Sequence, residues 1–359
     1  MNFDLWQYLS GTDKPIVMYG MGNGADKILN VAKRYNIEIS DFFASDGFVR
    51  GHSFKGKRVL SFSEIKNKYT DFIILLSFGS SLDDVLANIY SISERYEMYA
   101  PDVPVSGDNV FTYDFYESNK DKIEKARSML CDEHSVNVFD NVVKYKLSGE
   151  ISYLRKIDTD ESEVYENLLT PDKYTSYVDL GAYNGDTVEQ TLSVCPNVKD
   201  VIAVEPDVKN FTKLENRCTK FTDKNIILQN CVAWDSIGVL NFDASGNRNS
   251  NVVSQVTEKM KIKTVRADTL DNILKDKFRC DLIKYDVEGA EEKAIDGSYE
   301  TIKRDTPDLI VSAYHRSEDI FSILLKLSEF SDRYDFYLRK FKYVPAWDLN
   351  IYAVNKNRK

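Results

Sequence analysis

Tyr177-Val178-Asp179-Leu180-Gly181-Ala182-Tyr183-Asn184-Gly185-Asp186-Thr187 reads as a short apolar strand, a tight turn and the start of a helix. Gly181 lets the backbone reverse directly after the strand, and Gly185 leaves no Cβ where a ligand has to lie against the chain. The helix N-terminus that follows, with Asp186 and Thr187 as candidate caps, offers unpaired N–H groups to a carboxylate or phosphate. The spacing is G-x-x-x-G, not the dinucleotide G-x-G-x-x-G. Asp179, inside the strand, can meet an ammonium group. The next apolar run, Val201 to Val204, ends in Glu205-Pro206 about twenty residues past the turn, where an acid can take both hydroxyls of a ribose. A ligand with an amino acid at one end and a nucleoside at the other satisfies both acids. S-adenosylmethionine is that ligand.

Downstream, the pattern continues as a parallel α/β sheet. A helix is expected over Val208 to Phe221, then a strand from Asn225 to Leu228. A hairpin from Gly238–Phe242 to Ile262–Val265 follows, and then the strands Leu282–Asp286 and Asp308–Ala313. Asp335–Leu338 and Asn350–Val354 close the order, giving five parallel strands and a final antiparallel pair. Ala233 is a candidate adenine neighbour, and Trp234 beside it is either a second one or core. Between the hairpin strands, Arg248, Asn249 and Asn251 could contact acceptor hydroxyls or phosphate, or form a solvated turn.

The same grammar appears once upstream. Pro15–Tyr19 runs into Gly20-Met21-Gly22-Asn23-Gly24, a helix to about Tyr35, and an apolar run ending at Asp46. A strand at Phe72–Leu76 and a helix at Leu82–Tyr96 complete a Rossmann-like domain over 1–110. Its Gly20, Gly22, Asn23, Gly24 and Asp46 suggest a nucleotide or nucleotide-sugar site, or a purely structural module. The third glycine of the full fingerprint is missing, which makes NAD doubtful. Residues 111–165 are charged and helical, with candidates at Glu117–Leu130 and Val136–Leu147. They form either a connector or a first layer that covers the site of the domain at 166–359.

Composition removes whole classes. Hydrophobic residues make up 43% of the 359, so a buried core is available, and 16 Gly with 8 Pro exclude low-complexity chains. With 47 basic against 57 acidic residues the net charge is −10, which disfavours a nucleic-acid partner. Five widely spaced cysteines without C-x-x-C point to a reduced, cytoplasmic setting rather than disulfides or zinc. No membrane span or leader is expected.

Five words together carry a resemblance: Val178–Thr187; Val204-Glu205-Pro206-Asp207; Arg266-Ala267-Asp268-Thr269-Leu270-Asp271; Leu282-Ile283-Lys284-Tyr285-Asp286-Val287-Glu288-Gly289-Ala290-Glu291; and Pro307–His315. In that order they resemble the FkbM-type family of class I S-adenosylmethionine-dependent methyltransferases, over about 166–354. The resemblance implies a seven-stranded Rossmann-like α/β sheet, here preceded by the smaller α/β domain and the helical segment. It also implies methyl transfer to an oxygen of a small-molecule, sugar or glycan acceptor. Asp179, Gly181, Ala182, Tyr183, Asn184, Gly185, Asp186, Thr187, Glu205, Pro206 and Ala233 are then the cofactor residues.

Candidates for the chemistry lie beyond the fourth and fifth strands, where ligands bind in open α/β sheets. His315 is the expected general base, although packing near the next helix is the plain alternative. Asp286 orients it, lines the cofactor site, or holds a divalent cation with Glu288 and His315; the cation is the less favoured of these. Glu291 reads as a first-turn acid facing a helix dipole. A nucleotide-sugar oxidoreductase and a non-catalytic two-module scaffold are the competing functions. The missing third glycine and the lack of a Tyr-x-x-x-Lys aligned with a catalytic helix count against the oxidoreductase.

Overall fold

In the computed structural model, which describes residues 4–49, 51–243, 262–275 and 277–358, the apolar runs around Gly181 form the centre of one sheet. Its strands are β1 Ser176–Leu180, β2 Asp200–Val204, β3 Asn225–Gln229, β4 Leu282–Tyr285, β5 Asp308–Ser312, β6 Tyr334–Lys340 and β7 Leu349–Asn355. They lie side by side in the order β3-β2-β1-β4-β5-β7-β6. β1 is buried along its whole length, which is why it reads as a continuous apolar run rather than an alternating one. β7 pairs antiparallel with both β5 and β6. The last two strands therefore form the expected antiparallel pair, but only β7 runs against the rest. The order reverses between β1 and β4, and a crevice opens there at the strands' C-terminal ends.

The N-terminal strands Ile16–Tyr19, Asp41–Ala44, Leu60–Ser61, Ile73–Leu76 and Met98–Tyr99 make a second, wholly parallel sheet. Its spatial order repeats that of β1 to β5. Helices Asn23–Arg34 and Asp83–Ser93 occupy the expected places. The hairpin is also present: Gly238–Asp243 pairs antiparallel with Ile262–Asp268, and Val232–Ala233 joins the latter in parallel.

The helical segment is more than a tether. The helix expected from Glu117 starts earlier, at Tyr113, and is divided at Asn119. Helix Glu133–Ser148, capped by Asp132, lies on β6: the Ser135 hydroxyl accepts the Leu338 N–H at 2.9 Å. Arg339, buried on β6, reaches back to Asp132 (2.7 Å) and Glu163 (3.0 Å). One hydrophobic cluster runs from Val17 and Phe43 through Phe111, Val138 and Tyr145 to Val178, Ile283 and Leu338. The covering layer is thus built into the same core as both sheets. No helix among the described residues is long and apolar enough to cross a membrane.

Candidate active site

Gly181 closes the sheet's crevice from below. Its φ is +90°, and a Cβ there would stand 1.9 Å from the Asp286 carbonyl oxygen. The loops after β1 and β4 therefore meet at a distance only glycine permits, tied by the Asp286 N–H donating to the Leu180 carbonyl at 2.9 Å. Gly185 departs from expectation. Its φ is +84°, but its missing Cβ faces Leu214 Cδ1 at 2.9 Å, so the glycine makes room for helix Val208–Cys218 and not for a ligand. It is also the N-cap of helix Asp186–Val194, a place expected for Asp186 or Thr187. Asn184 Oδ1 accepts the Asp186 N–H at 3.1 Å, and Thr187 donates its hydroxyl to Asp179.

Asp179 is fully buried and stands behind the cavity wall rather than on it. Burial pushes its carboxyl above the usual range, against the pull of Lys284. Lys284 Nζ lies 4.0 Å from Asp179 Oδ1 and 3.0 Å from Asp286 Oδ2. Burial opposes the ammonium, yet the two acids hold Lys284 protonated, with its pKa above the ordinary value. The ammonium neighbour expected for Asp179 is thus a residue of this chain.

A cavity of about 430 Å³ fills the crevice, and Tyr183, Thr187, Glu205, Pro206 and Ala233 line one end. Glu205, only 6% exposed, accepts the Tyr183 N–H on Oε2 at 3.0 Å and the Asp207 N–H on Oε1 at 2.8 Å. A carboxylate has about four acceptor positions, so each oxygen keeps one for a further donor. Burial pushes the Glu205 carboxyl up to about 8, outweighing the two backbone donors. Asp207 caps helix Val208–Cys218 by accepting from Lys209 N and Asn210 N. Asp207→Ala is expected to cost about 1 to 2 kcal/mol in chemical denaturation. An unchanged midpoint would remove the cap from the account. Trp234 does not line the cavity; it packs with Val232 and Ala267.

At the other end Asp286, Val287, Glu288 and Tyr314 form the wall. His315, 0% exposed, lies behind them: Nδ1 is 2.9 Å from Glu291 Oε1, and Nε2 is 3.6 Å from both Asp286 Oδ1 and Glu288 Oε2. Burial alone would lower its pKa, but Glu291, Glu288 and Asp286 raise it to about 10. An imidazole held protonated behind two carboxylates is badly placed to take a proton from an acceptor, so the expected base does not stand at the wall. Burial lifts Glu288 to about 7, whereas Lys284 and His315 hold Asp286 low in spite of burial. Glu291 is buried and turned to His315 and to the N–H groups of Val287 and Gly289, beyond a first-turn dipole role.

None of the N-terminal candidates lines this cavity. A Cβ on Gly20 would meet Phe78 at 2.6 Å and one on Gly24 the Ser77 carbonyl at 2.2 Å, so both glycines serve packing. Gly22 faces open space, and Asn23 begins the helix. Asp46 accepts from Ser63 N at 3.1 Å and Ser63 Oγ at 2.7 Å, anchoring helix Phe62–Lys68, as the purely structural alternative has it. Arg248, Asn249 and Asn251 lie outside the described residues. Sequence reasoning missed Glu161 and Tyr165 from the covering layer, Lys284, and the rings of Tyr343 and Trp347, all on the cavity wall. A lone lysine inside Leu282-Ile283-Lys284-Tyr285 was a usable signal; the others had none.

The family described as methyltransferase FkbM domain matches residues 179–344. The FkbM methyltransferase of Methylobacillus flagellatus KT is similar in structure, with a TM-score of 0.73 at 20% identity, over 98% of this chain and 94% of that one. That likeness shows a shared fold across both sheets. A precorrin-6y C5,15-methyltransferase from Geobacter metallireducens matches over 55% of this chain and 90% of its own, at 14% identity and a TM-score of 0.33. No curated protein matches the chain.

Proposed function

This chain carries an FkbM methyltransferase domain at residues 179–344, and we propose that it is an S-adenosylmethionine-dependent O-methyltransferase acting on a hydroxyl of a sugar, glycan or related acceptor. The observation that carries the reading is Glu205: a buried carboxylate at the end of β2, oriented by two backbone donors and still able to accept from a diol inside the cavity. When bound, the cofactor supplies a methyl group on a sulfonium, a good leaving group. Glu205 holds the ribose, and Val232 with Ala233 gives the adenine an apolar neighbour. Thr187, Lys284 and Asp286, which line the crevice, would hold the cofactor's methionine end. An acceptor entering beside Tyr314 then faces the carboxylates of Asp286 and Glu288, either of which can take the hydroxyl proton. Tyr343 and Trp347, with ring centroids 5.6 Å apart, narrow the opening and can cover an apolar ring face. Alignment and exclusion of water provide most of the acceleration such a transfer needs.

Free thiols at all five cysteines support a reducing, cytoplasmic compartment for this reading. Calorimetry on the full chain tests it: S-adenosylmethionine and S-adenosylhomocysteine are expected to bind one per chain, and NAD is not. NAD binding without either nucleoside would overturn the reading.

The raised Glu205 carboxyl gives a pH signature. A diol needs the ionised carboxylate, so binding below about 8 must first release a proton. Affinity for S-adenosylhomocysteine is therefore expected to rise with pH, by up to about tenfold per unit below 8, and to level off above it. Glu205→Gln should flatten that contribution. An equally steep profile in the variant would assign the proton elsewhere.

A further inference from the structure

We infer that His315 Nε2, Asp286 and Glu288 form a binding site for one divalent cation of the Mg2+ or Mn2+ class on the cavity wall, with Glu291 as the positioning residue behind the histidine. Nε2 lies 3.6 Å from Asp286 Oδ1 and 3.6 Å from Glu288 Oε2, beyond hydrogen-bonding range in both cases. Ligands sharing one ion at about 2.0 to 2.2 Å stand about 3.0 to 3.6 Å apart, from right-angle to tetrahedral arrangements. Both spacings to Nε2 fall at the wide end of that range.

The imidazole supplies the independent sign. It is completely buried, and among the described residues neither of its nitrogens has an aligned hydrogen bond. Nδ1 faces Glu291 Oε1 at 2.9 Å, which turns Nε2 toward the two wall carboxylates. Glu291 is itself fixed, since the same oxygen accepts from Val287 N at 3.0 Å and Gly289 N at 3.3 Å. With Glu291 Oε1 only 2.9 Å away, a small ring rotation would align Nδ1–H on it and complete the usual outer-shell arrangement of a metal-bound histidine. Single ligand atoms of Asp286, Glu291 and His315 lie within 4.8 Å of one another, and Glu288, outside that group, approaches through Nε2 alone and would have to close on Asp286 to share the ion.

The surrounding carboxylates hold the imidazole protonated, so an ion at Nε2 would take the place of that proton, which leaves to solvent. Lys284 takes the other oxygen of Asp286 at 3.0 Å, so Oδ1 remains directed at the histidine. The turn that presents Glu288 is pinned from outside: Arg316 Nε donates to the Gly289 carbonyl at 2.7 Å, and Ser106 N donates to the His315 carbonyl at 2.8 Å. One imidazole with two carboxylates and no thiolate favours hard to intermediate divalent ions. Cation binding does not depend on the methyl-donor reading. Its consequence does: an ion there would meet the acceptor oxygen as a Lewis acid.

Mn2+ alone, added to the chelator-stripped full chain and followed by electron paramagnetic resonance, is the test. One equivalent is expected to bind, with coupling to a histidine nitrogen. Glu288→Gln should weaken binding at least about tenfold, and Glu291→Gln about ten- to a hundredfold while keeping the nitrogen signal. His315→Ala should abolish that signal; if it fails to fold, Glu288→Gln, altered on the cavity wall, still decides. Absence of a stoichiometric site in the wild type, or wild-type binding in Glu288→Gln, overturns the inference and leaves an ion-paired histidine. S-adenosylhomocysteine binding measured on the same stripped sample separates the two claims. Nucleoside binding without Mn2+ binding sinks only the cation site, and Mn2+ binding without nucleoside binding sinks only the donor reading.

Discussion

Glu205→Ala is expected to weaken S-adenosylhomocysteine binding roughly ten- to a hundredfold, about 1.5 to 3 kcal/mol, because it removes a charge-assisted acceptor of two hydroxyls. Its side chain has two tasks. The two backbone N–H groups, from Tyr183 and Asp207, orient the carboxylate. Glu205 also lines the cavity, beside Pro206 and Ala233, where its remaining acceptor positions would meet the ribose. Truncation therefore removes the diol contact and leaves two backbone donors unmet, and the second loss also lowers stability. Glu205→Gln separates them, since its amide oxygen can keep one donor satisfied while the charge is lost. Calorimetry at pH 9, where the wild-type carboxylate is ionised, gives the cleanest comparison. A dissociation constant unchanged in both variants would remove Glu205 from the cofactor site.

Gly181→Ala is expected to cost at least about 3 kcal/mol in denaturant unfolding and to abolish nucleoside binding. Two effects add. The residue sits at φ +90°, where an L side chain is strained, and the new Cβ would lie 1.9 Å from the Asp286 carbonyl oxygen. That neighbour is backbone, so no rotamer change relieves the overlap, and the loops after β1 and β4 must part. Gly22→Ala is the control. At φ +120° it pays the conformational cost alone, with nothing within 4 Å of its Cβ. If Gly181→Ala proved no worse than Gly22→Ala, the close approach of the two loops would be disproved.

The words around Gly181 and Glu205 were legible because backbone geometry forces residue type there: a positive φ asks for glycine, and the end of a parallel strand asks for a residue that faces the crevice. Ala233 followed from strand order in the same way. Asp179 was misread because spacing placed it correctly along β1 but could not show that Thr187 and Lys284 would close over it. Gly185 was misread for a related reason: its positive φ was foreseeable, the helix packed against it was not. The place of His315 after β5 was readable from strand order, but not that Asp286 and Glu288 stand between it and the cavity. Asp46 matched a ribose-binding acid in place, yet a serine seventeen positions on takes both its oxygens. Tyr343 and Trp347 pack against Gly79, in the loop after the N-terminal strand Ile73–Leu76, a contact across more than two hundred and fifty residues that no local pattern encodes.

In a crystal grown with S-adenosylhomocysteine the nucleoside is expected in the crevice between β1 and β4, with both ribose hydroxyls within hydrogen-bonding distance of Glu205 and the adenine beside Ala233. Density for that molecule at the Gly20–Gly24 turn instead, or a ribose held away from Glu205, would contradict it.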